Sequence, residues 1–195
     1  MPNWCDNTFT LKGPTEKVNK IYQHYQKEGN LLDILYPPPK DMFEGNLGEK
    51  ERKECAEKGI PNWYDWQSAN WGTKWDISDG NLEFEDAGDG EAILSGYFMS
   101  AWAPPHGAFD EFISKNEDCY IHSMYYEPGM GFAGIYEDGS DDQYELTGTK
   151  QELIDSLPEE LDDAFGITES IEEEPEELSE WMKEGAQAKK EAEVV

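Results

Sequence analysis

The segment from Asn62 to Asp76 reads Asn-Trp-Tyr-Asp-Trp-Gln-Ser-Ala-Asn-Trp-Gly-Thr-Lys-Trp-Asp and holds four of the seven tryptophans of the 195-residue chain. Its indoles fit neither a helical nor a strand period, since the first three do not share one helical face and a Gly-Thr pair separates the last two. We therefore expect an ordered loop or the entry to a strand. Indole rings bury apolar surface there, and the neighbouring amides and carboxylates supply partners for the indole N–H groups.

The sequence on both sides of this segment alternates between strand and helix patterns. Period-2 alternation and short apolar runs predict strands, whereas 3.6-residue spacing predicts helices. The predicted strands are 7–12, 75–77 with 81–85, 92–101, 120–127, 131–137 and 143–147, and the predicted helices are 15–28, 49–58 and 106–115. We expect Thr15 to be the N-cap of the first helix and Gly29 to end it.

This element order predicts the fold class. It is β-α-(insertion)-β-β-α-β with further strands appended, which is the order of a split βαβ unit. The predicted class is therefore α+β, a ferredoxin-like split βαβ sandwich with an insertion after the first helix and an acidic helical C-terminal extension.

Three strings in the chain carry a resemblance to a known family. They are Met1-Pro2-Asn3-Trp4-Cys5-Asp6-Asn7-Thr8, Asn70-Trp71-Gly72-Thr73-Lys74-Trp75-Asp76 and Ser100-Ala101-Trp102-Ala103-Pro104-Pro105. With them, the stretch from Met1 to Gly148 resembles the YubB ferredoxin-like domain family, a group of Api-like proteins of phages and plasmids. The resemblance implies a ferredoxin-like α+β fold and a mobile-element origin. It transfers no catalytic residues.

The resemblance ends near a change in composition, so we expect a domain at 1–148 and an acidic helical extension at 149–195. Thr149-Lys150-Gln151-Glu152 is close to a capping box and predicts a helix start. Leu178, Trp181 and Met182 follow helical spacing near the C-terminus. Trp181 is expected either to cover the core or to anchor a partner.

The formal net charge of −29 is the second strong feature of the chain. Residues 151–195 hold 16 of the 44 acidic and 3 of the 15 basic side chains, which gives −13 for the extension and leaves −16 for the rest. Such a charge repels nucleic acid and anionic membranes and favours basic partners. A merely solvated acidic surface is the competing interpretation.

Cysteine use and hydropathy bear on the compartment. Cys5, Cys55 and Cys119 form no Cys-x-x-Cys pair and suggest no disulfide framework, which favours a reducing environment. Neither a membrane-length apolar run nor a signal-peptide pattern occurs. We expect a soluble protein in the host cytoplasm.

Candidate catalytic and metal sites are weak in this sequence. A Cys–His pair would need His106 near Cys5 or Cys119, which no spacing indicates. Residues 86–91 and 137–142 only faintly resemble calcium loops, and 127–134 is glycine-rich without a following helix. Four tyrosines that could stack on bases lie on predicted strands: Tyr97, Tyr120, Tyr125 and Tyr126. The negative net charge argues against nucleic-acid binding by this surface. We predict no enzyme activity, catalytic residues, metal or cofactor.

The leading hypothesis is a non-enzymatic phage protein that binds and inhibits a host defence or nucleic-acid-handling protein through its acidic surface, as a DNA mimic. The candidate contact residues are Asp155, Glu159, Glu160, Asp162, Asp163, Glu172, Glu173, Glu174, Glu176, Glu177 and Trp181. The predicted partner is a host protein with a basic surface, with no direct nucleic acid and no membrane.

The alternative is a small-ligand or nucleotide-binding protein, or an enzyme, built on the Trp-rich segment. Its candidate pocket residues are Trp66, Asn70, Trp71, Trp75, Trp102 and His106. An assembly component that pairs through an exposed strand edge is a third class. The oligomeric state is left open.

Overall fold

The computed structural model describes residues 3–171 and has a mixed α+β architecture, which confirms the predicted α+β class. The strands are β1 (Trp4–Pro14), β2 (Gly80–Gly88), β3 (Glu91–Ala101), β4 (Tyr120–Glu127), β5 (Phe132–Glu137) and β6 (Ser140–Glu145). The helices are α1 (Thr15–Glu28), α2 (Leu32–Leu35), α3 (Glu49–Lys58), α4 (Trp63–Asn70), α5 (His106–Lys115), α6 (Lys150–Ser156) and α7 (Glu159–Phe165). The strands form one antiparallel sheet in the order β2-β3-β1-β4-β5-β6.

Strand β1 lies inside the sheet, where it pairs with β3 along its whole length and with β4 on its other side. Alternate residues of β1 are buried: Cys5, Asn7, Phe9 and Leu11. Because successive side chains of a strand point to opposite faces, this alternation directs one face of the sheet toward the core.

Helices α1 and α5 cover that face. Val18 and Ile21 of α1 and Phe109 of α5 join Phe9 and Leu94 in the main hydrophobic cluster. Each such fully buried side chain contributes about 1.5–3 kcal/mol relative to exposure. This cluster fixes the sheet and with it the ends of β1 and β3.

Most helix predictions are confirmed at their bounds: α1, α3 and α5 span the predicted residues. Gly29 ends α1 with φ 73°, as predicted, because glycine accepts the left-handed conformation without a Cβ clash. The predicted N-cap is wrong. Pro14 occupies that position with no side-chain hydrogen bond, and Thr15 is the first helical residue, since the strand runs directly into the helix.

The expectation of a loop or strand entry at the Trp-rich segment is wrong for its first half, which forms α4. Its N-cap is Asn62, whose Oδ1 accepts a hydrogen bond from the Asp65 N–H at 3.0 Å. None of the α4 side chains is fully buried. A helix without a buried stripe shows no apolar period in its sequence, so the Asn62 cap is the signal that could have indicated α4.

Two strand predictions also need correction. Residues 75–77 form no strand, because the Asp76 carboxylate engages the backbone N–H of its own neighbour Ile77 and of α2. Strand β6 begins at Ser140 rather than at 143, since a tight turn with φ 46° at Asp138 and 91° at Gly139 returns the chain immediately.

The chain divides into two compact units between Thr147 and Gly148. In the second unit the predicted capping box is confirmed: Thr149 Oγ1 accepts from the Glu152 N–H, and the Glu152 carboxylate accepts from the Thr149 N–H. Leu153, Leu157 and Leu161 are buried. No helix within residues 3–171 is long and apolar enough to cross a membrane.

Candidate binding surface at the end of the sheet

Trp66, Asn70 and Trp71, three of the predicted pocket residues, form an internal aromatic cluster with Tyr36. Trp71 is only 1% exposed, and its indole N–H donates to the Tyr36 carbonyl at 2.8 Å. The Trp66 ring meets both Tyr36 and Trp71 edge-on, at 5.2 and 5.6 Å between centroids. Asn70 Oδ1 accepts from the Tyr36 hydroxyl at 3.0 Å. This cluster ties α4 to the main core.

The chain after α4 is fixed to the end of β3. Thr73 is buried, and its hydroxyl donates to the Ala101 carbonyl and accepts from the Ala101 N–H, each at 3.0 Å. This double contact fixes the chain at Thr73 to the end of β3. The next residue, Lys74, lies over the ring of Trp102, which follows β3.

Trp102 has a positive φ of 72°, which is uncommon for a bulky residue and costs of order 1–3 kcal/mol. Its backbone N–H donates to the Asn3 carbonyl at 3.0 Å, and the Ser100 hydroxyl closes the turn by donating to the Ala103 carbonyl at 2.8 Å. These bonds hold the indole of Trp102 in a partly exposed position.

Three tryptophans are exposed at this end of the sheet although indoles are usually buried. Trp4 is 44%, Trp75 37% and Trp102 36% exposed, and Met99 is similarly exposed. The Trp4 and Trp75 rings lie 6.0 Å apart at 38°. Exposed apolar groups that occur together mark interaction sites more often than those scattered singly. We call Trp4, Trp75, Met99 and Trp102 the indole surface.

Lys74 lies against this surface, where it contacts aromatic rings and, among residues 3–171, no carboxylate. Its Nζ is 4.3 Å from the Trp75 ring centroid, 5.1 Å from that of Trp102 and 5.6 Å from that of Tyr64. Cations within about 6 Å of an aromatic face are attracted by its quadrupole. The indole surface therefore binds a cation already, supplied by its own chain.

A cleft of about 180 Å³ opens between Trp4 and Trp75, with Met99 and the end of β3 in its wall. Asp76 and Asp79 are its two carboxylates. Asp76 accepts hydrogen bonds from the backbone N–H groups of Leu31, Leu32, Asp33 and Ile77 at 2.7–2.9 Å. Burial raises the pKa of Asp76, while these bonds oppose the rise. Asp79 is exposed and forms no salt bridge within the described part of the chain.

His106, the last predicted pocket residue, belongs to a different group of side chains. Its ring stacks on Tyr136 at 4.7 Å, and its Nδ1 lies 3.5 Å from the Asp141 carboxylate, which also accepts from the Tyr125 hydroxyl at 2.7 Å. Burial lowers the pKa of His106 against the opposing effect of Asp141 and Asp110. Burial also raises the pKa of the Cys5 thiol to about 12, so that this thiol is protonated at neutral pH.

The structure thus distributes the six predicted pocket residues over three places: the Tyr36 cluster, the indole surface and the Tyr136 stack. Trp4 and Met99 were missed in the sequence. The pattern that could have found them is the register of two strands, in which Trp4 lies opposite Ala101 and Asp6 opposite Met99.

The predicted acidic contacts divide into described and undescribed residues. Asp155, Glu159, Glu160 and Asp163 are exposed on or beside α6 and α7. Asp162 instead accepts hydrogen bonds from the N–H and hydroxyl of Thr168, at 2.7 and 2.5 Å, and so closes the end of α7. Five glutamates and the tryptophan lie outside the described residues: Glu172, Glu173, Glu174, Glu176, Glu177 and Trp181.

The tyrosines considered for base stacking do not share one face of the sheet. Tyr125 is fully buried and faces the helices, opposite Asn7. The other three have the opposite strand parity: Tyr97, Tyr120 and Tyr126. Burial and the Asp6 carboxylate, to which its hydroxyl donates, raise the pKa of Tyr97.

The loops that faintly resemble calcium sites are turns between strands. Residues 86–91 join β2 to β3, and 137–142 join β5 to β6. Asp89 and Asp138 take positive φ in these turns, at 53° and 46°. Among residues 3–171, no three His, Cys, Asp or Glu side chains converge as metal ligands.

Comparison with known proteins adds one structural neighbour. No protein-family model and no curated protein matches the chain. The chain is similar to the crystal structure of protein Api92 from Yersinia pseudotuberculosis, of family model DUF1281, with 15% sequence identity and a TM-score of 0.39. The match covers 76% of this chain and 99% of that one.

Proposed function

We propose that this chain is a non-enzymatic phage or plasmid protein that binds a basic host protein and inhibits it by occupying its nucleic-acid site. The target class is a defence or nucleic-acid-handling factor in the host cytoplasm. The observation that carries the proposal is the net charge of −29, which is shared by both parts of the chain. The same proposal includes membership of the YubB ferredoxin-like domain family.

The fold part of this proposal is supported by strand order. The first four strands lie in the order β2-β3-β1-β4, with α1 following β1 and α5 following β3. A split βαβ unit has the same succession of elements. Strands β5 and β6 extend the sheet beyond β4.

Exposed carboxylates within the first unit support a basic partner. The edge strand β2 and its turn into β3 carry five of them: Glu83, Glu85, Asp86, Asp89 and Glu91. Only Glu91 forms a salt bridge there with a described residue, Lys12 at 3.4 Å. Charged edges also prevent strand-to-strand aggregation, so these side chains serve the free protein as well.

Carboxylates of the second unit support the same partner class. Glu159 and Glu160 begin α7 four and five residues after Asp155, and all three are exposed. Duplex DNA presents roughly one phosphate charge per 1.7 Å of axis. A surface studded with carboxylates imitates that field, accelerates association with a basic groove and makes binding sensitive to salt.

A pull-down from host lysate tests the proposal. The tagged protein is used at low and at high salt, and the retained proteins are identified by mass spectrometry. We expect a nucleic-acid-binding protein that is retained at low salt, lost at high salt and released by duplex DNA. Retention that changes neither with salt nor with added duplex DNA would contradict the proposal. The absence of any partner at low salt would also contradict it.

Two variants of equal charge locate the contact. One neutralises the second unit as Asp155→Asn, Glu159→Gln, Glu160→Gln and Asp163→Asn. The matched control neutralises the β2 edge as Glu83→Gln, Glu85→Gln, Asp86→Asn and Asp89→Asn. We expect the first variant to reduce retention more. Equal loss would mean that total charge, and not the second unit, directs binding.

A further inference from the structure

We infer that the cleft between Trp4 and Trp75 receives an arginine side chain of the basic partner, which stacks on indole and pairs with Asp79. This inference deepens the proposed function, on which it rests, by naming the group that is recognised and the residues that recognise it. The cleft lies in the first unit, within the indole surface.

The size of the cleft fits one side chain. Its volume is about 180 Å³. Pockets for cofactors and drug-sized molecules are larger, typically about 300–1,000 Å³. The indoles of Trp4 and Trp75 both line it, and Met99 contributes a thioether that adapts to an inserted group. A single long side chain matches a space of this size.

The charge of the cleft selects a cation. Among the described residues that line it there are two carboxylates, Asp76 and Asp79, and no Lys, Arg or His. Asp76 is engaged by four backbone N–H groups, whereas Asp79 is exposed and unpaired within residues 3–171. Aromatic faces are negative as well, so both kinds of wall attract positive charge.

Lys74 provides an internal example of the same recognition. Its ammonium lies 4.3 Å from the Trp75 centroid and 5.1 Å from that of Trp102, without a carboxylate partner among described residues, in a chain with 44 acidic side chains. Trp75 and Trp102 therefore already attract one ammonium group of the chain itself.

The walls are held in place before any partner arrives. Trp4 pairs with Ala101 in the sheet, and the Thr73 hydroxyl is bonded to the same Ala101 on the other side. Asp76, next to Trp75, is fixed by its bonds to Leu31 and Leu32. Preorganised walls reduce the entropy that binding must offset.

Arginine fits better than lysine for geometric reasons. A guanidinium is planar, stacks on an aromatic ring and donates two parallel hydrogen bonds to one carboxylate, here Asp79. An ammonium is compact and strongly hydrated, and it offers neither a planar group that stacks on a ring nor two parallel donors for one carboxylate. Arginine is also enriched in nucleic-acid-binding surfaces, the class of partner proposed above.

The test titrates the full chain with blocked Gly-Arg-Gly peptide and follows the indole N–H resonances by NMR, assigned with Trp→Phe variants. The control peptides carry citrulline, which is isosteric and neutral, and lysine. Salt at 150 mM screens general attraction. We expect the Trp4 and Trp75 resonances to shift, with affinity about tenfold lower for the citrulline peptide.

Matched variants of the protein separate the cleft from the overall charge. Asp79→Asn is expected to lower the affinity for the arginine peptide about fivefold or more, whereas Asp89→Asn, which removes the same charge at the β2–β3 turn, leaves it unchanged. Equal binding of the citrulline or lysine peptide, equal loss in both variants, or stationary Trp4 and Trp75 resonances would each overturn the inference.

These outcomes are distinguishable from failure of the proposed function. If the lysate yields no basic partner but the arginine peptide binds as described, the arginine site is supported and the proposed inhibitor role is contradicted. If a salt-sensitive partner is retained but the peptide does not shift the indole resonances, the inhibitor role is supported and the arginine site is contradicted.

Discussion

Trp71 and Trp75 lie four residues apart in one segment but contribute to different properties. Trp71 is 1% exposed and hydrogen-bonded to Tyr36, whereas Trp75 is 37% exposed and contacts Trp4 and Lys74. Sequence composition could indicate that some indoles were structural and others were free to bind. It could not show which indole is buried and which is exposed, because this depends on where Thr73 binds the end of β3.

This difference predicts opposite effects of two alanine variants. Trp71→Ala leaves a large cavity and should lower the free energy of unfolding by about 3–5 kcal/mol. Trp75→Ala loses partial packing and should cost no more than about 1.5 kcal/mol. Urea denaturation measures both. A larger loss for Trp75→Ala than for Trp71→Ala would contradict the assignment.

His106 predicts a pH dependence of stability. Burial lowers the pKa of His106 in the folded state, so between this value and about 6.5 the unfolded chain binds more protons. Stability from this residue is therefore present above about pH 6.5 and is lost as the pH falls. We expect Tm to fall less between pH 7.5 and 5.5 in His106→Gln than in the wild type. His122→Gln is the control, and equal slopes in all three proteins would contradict the prediction.

At the scale of elements, the contact between α4 and α5 depends on glycine. A Cβ at Gly107 would lie 2.2 Å from the Asn70 carbonyl oxygen, so the two helices approach through the missing side chain. Alanine is the better helix former by about 1 kcal/mol, but overpacking costs about 1–3 kcal/mol. The steric cost exceeds the gain in helix propensity.

Gly107→Ala should therefore lower Tm although it favours the helix. Ser114→Ala in the same helix is the control, since Ser114 is exposed and alanine there gains a few tenths of a kcal/mol. Thermal denaturation followed by circular dichroism compares the two. A Gly107→Ala protein as stable as the wild type would show that α4 and α5 separate at no cost.

Elements with a strong period were predictable, and those fixed by distant contacts were not. The alternation in β1 and the spacing in α1 and α5 follow from local burial. The bounds of both helices agree with the structure, whereas β1 spans Trp4–Pro14 instead of the predicted 7–12. Helix α4 has no buried stripe. Residues 75–77 do not form a strand, because Asp76 accepts hydrogen bonds from the distant backbone N–H groups of Leu31 and Leu32. The cleft between Trp4 and Trp75 joins residues 71 positions apart in sequence, which no local pattern indicates.

At the scale of the whole molecule, charge repulsion opposes folding. With a net charge of −29, carboxylates repel one another more in the compact state than in the extended chain. Salt screens these repulsions, with a Debye length of about 10 Å at 0.1 M and about 3 Å at 1 M. We expect Tm to rise as NaCl is increased from 20 to 500 mM. A Tm that falls would show that the folded state depends on its salt bridges instead.

The most direct test of the account is a comparison of partner capture by the wild type and by Trp75→Ala from the same host lysate at low salt. Both proteins carry the same charge and the same acidic second unit. If charge and the indole surface act together, the variant should retain the same basic protein in clearly reduced amount, and high salt should release it from both. Equal retention by the two proteins, or retention that survives high salt, would contradict the account.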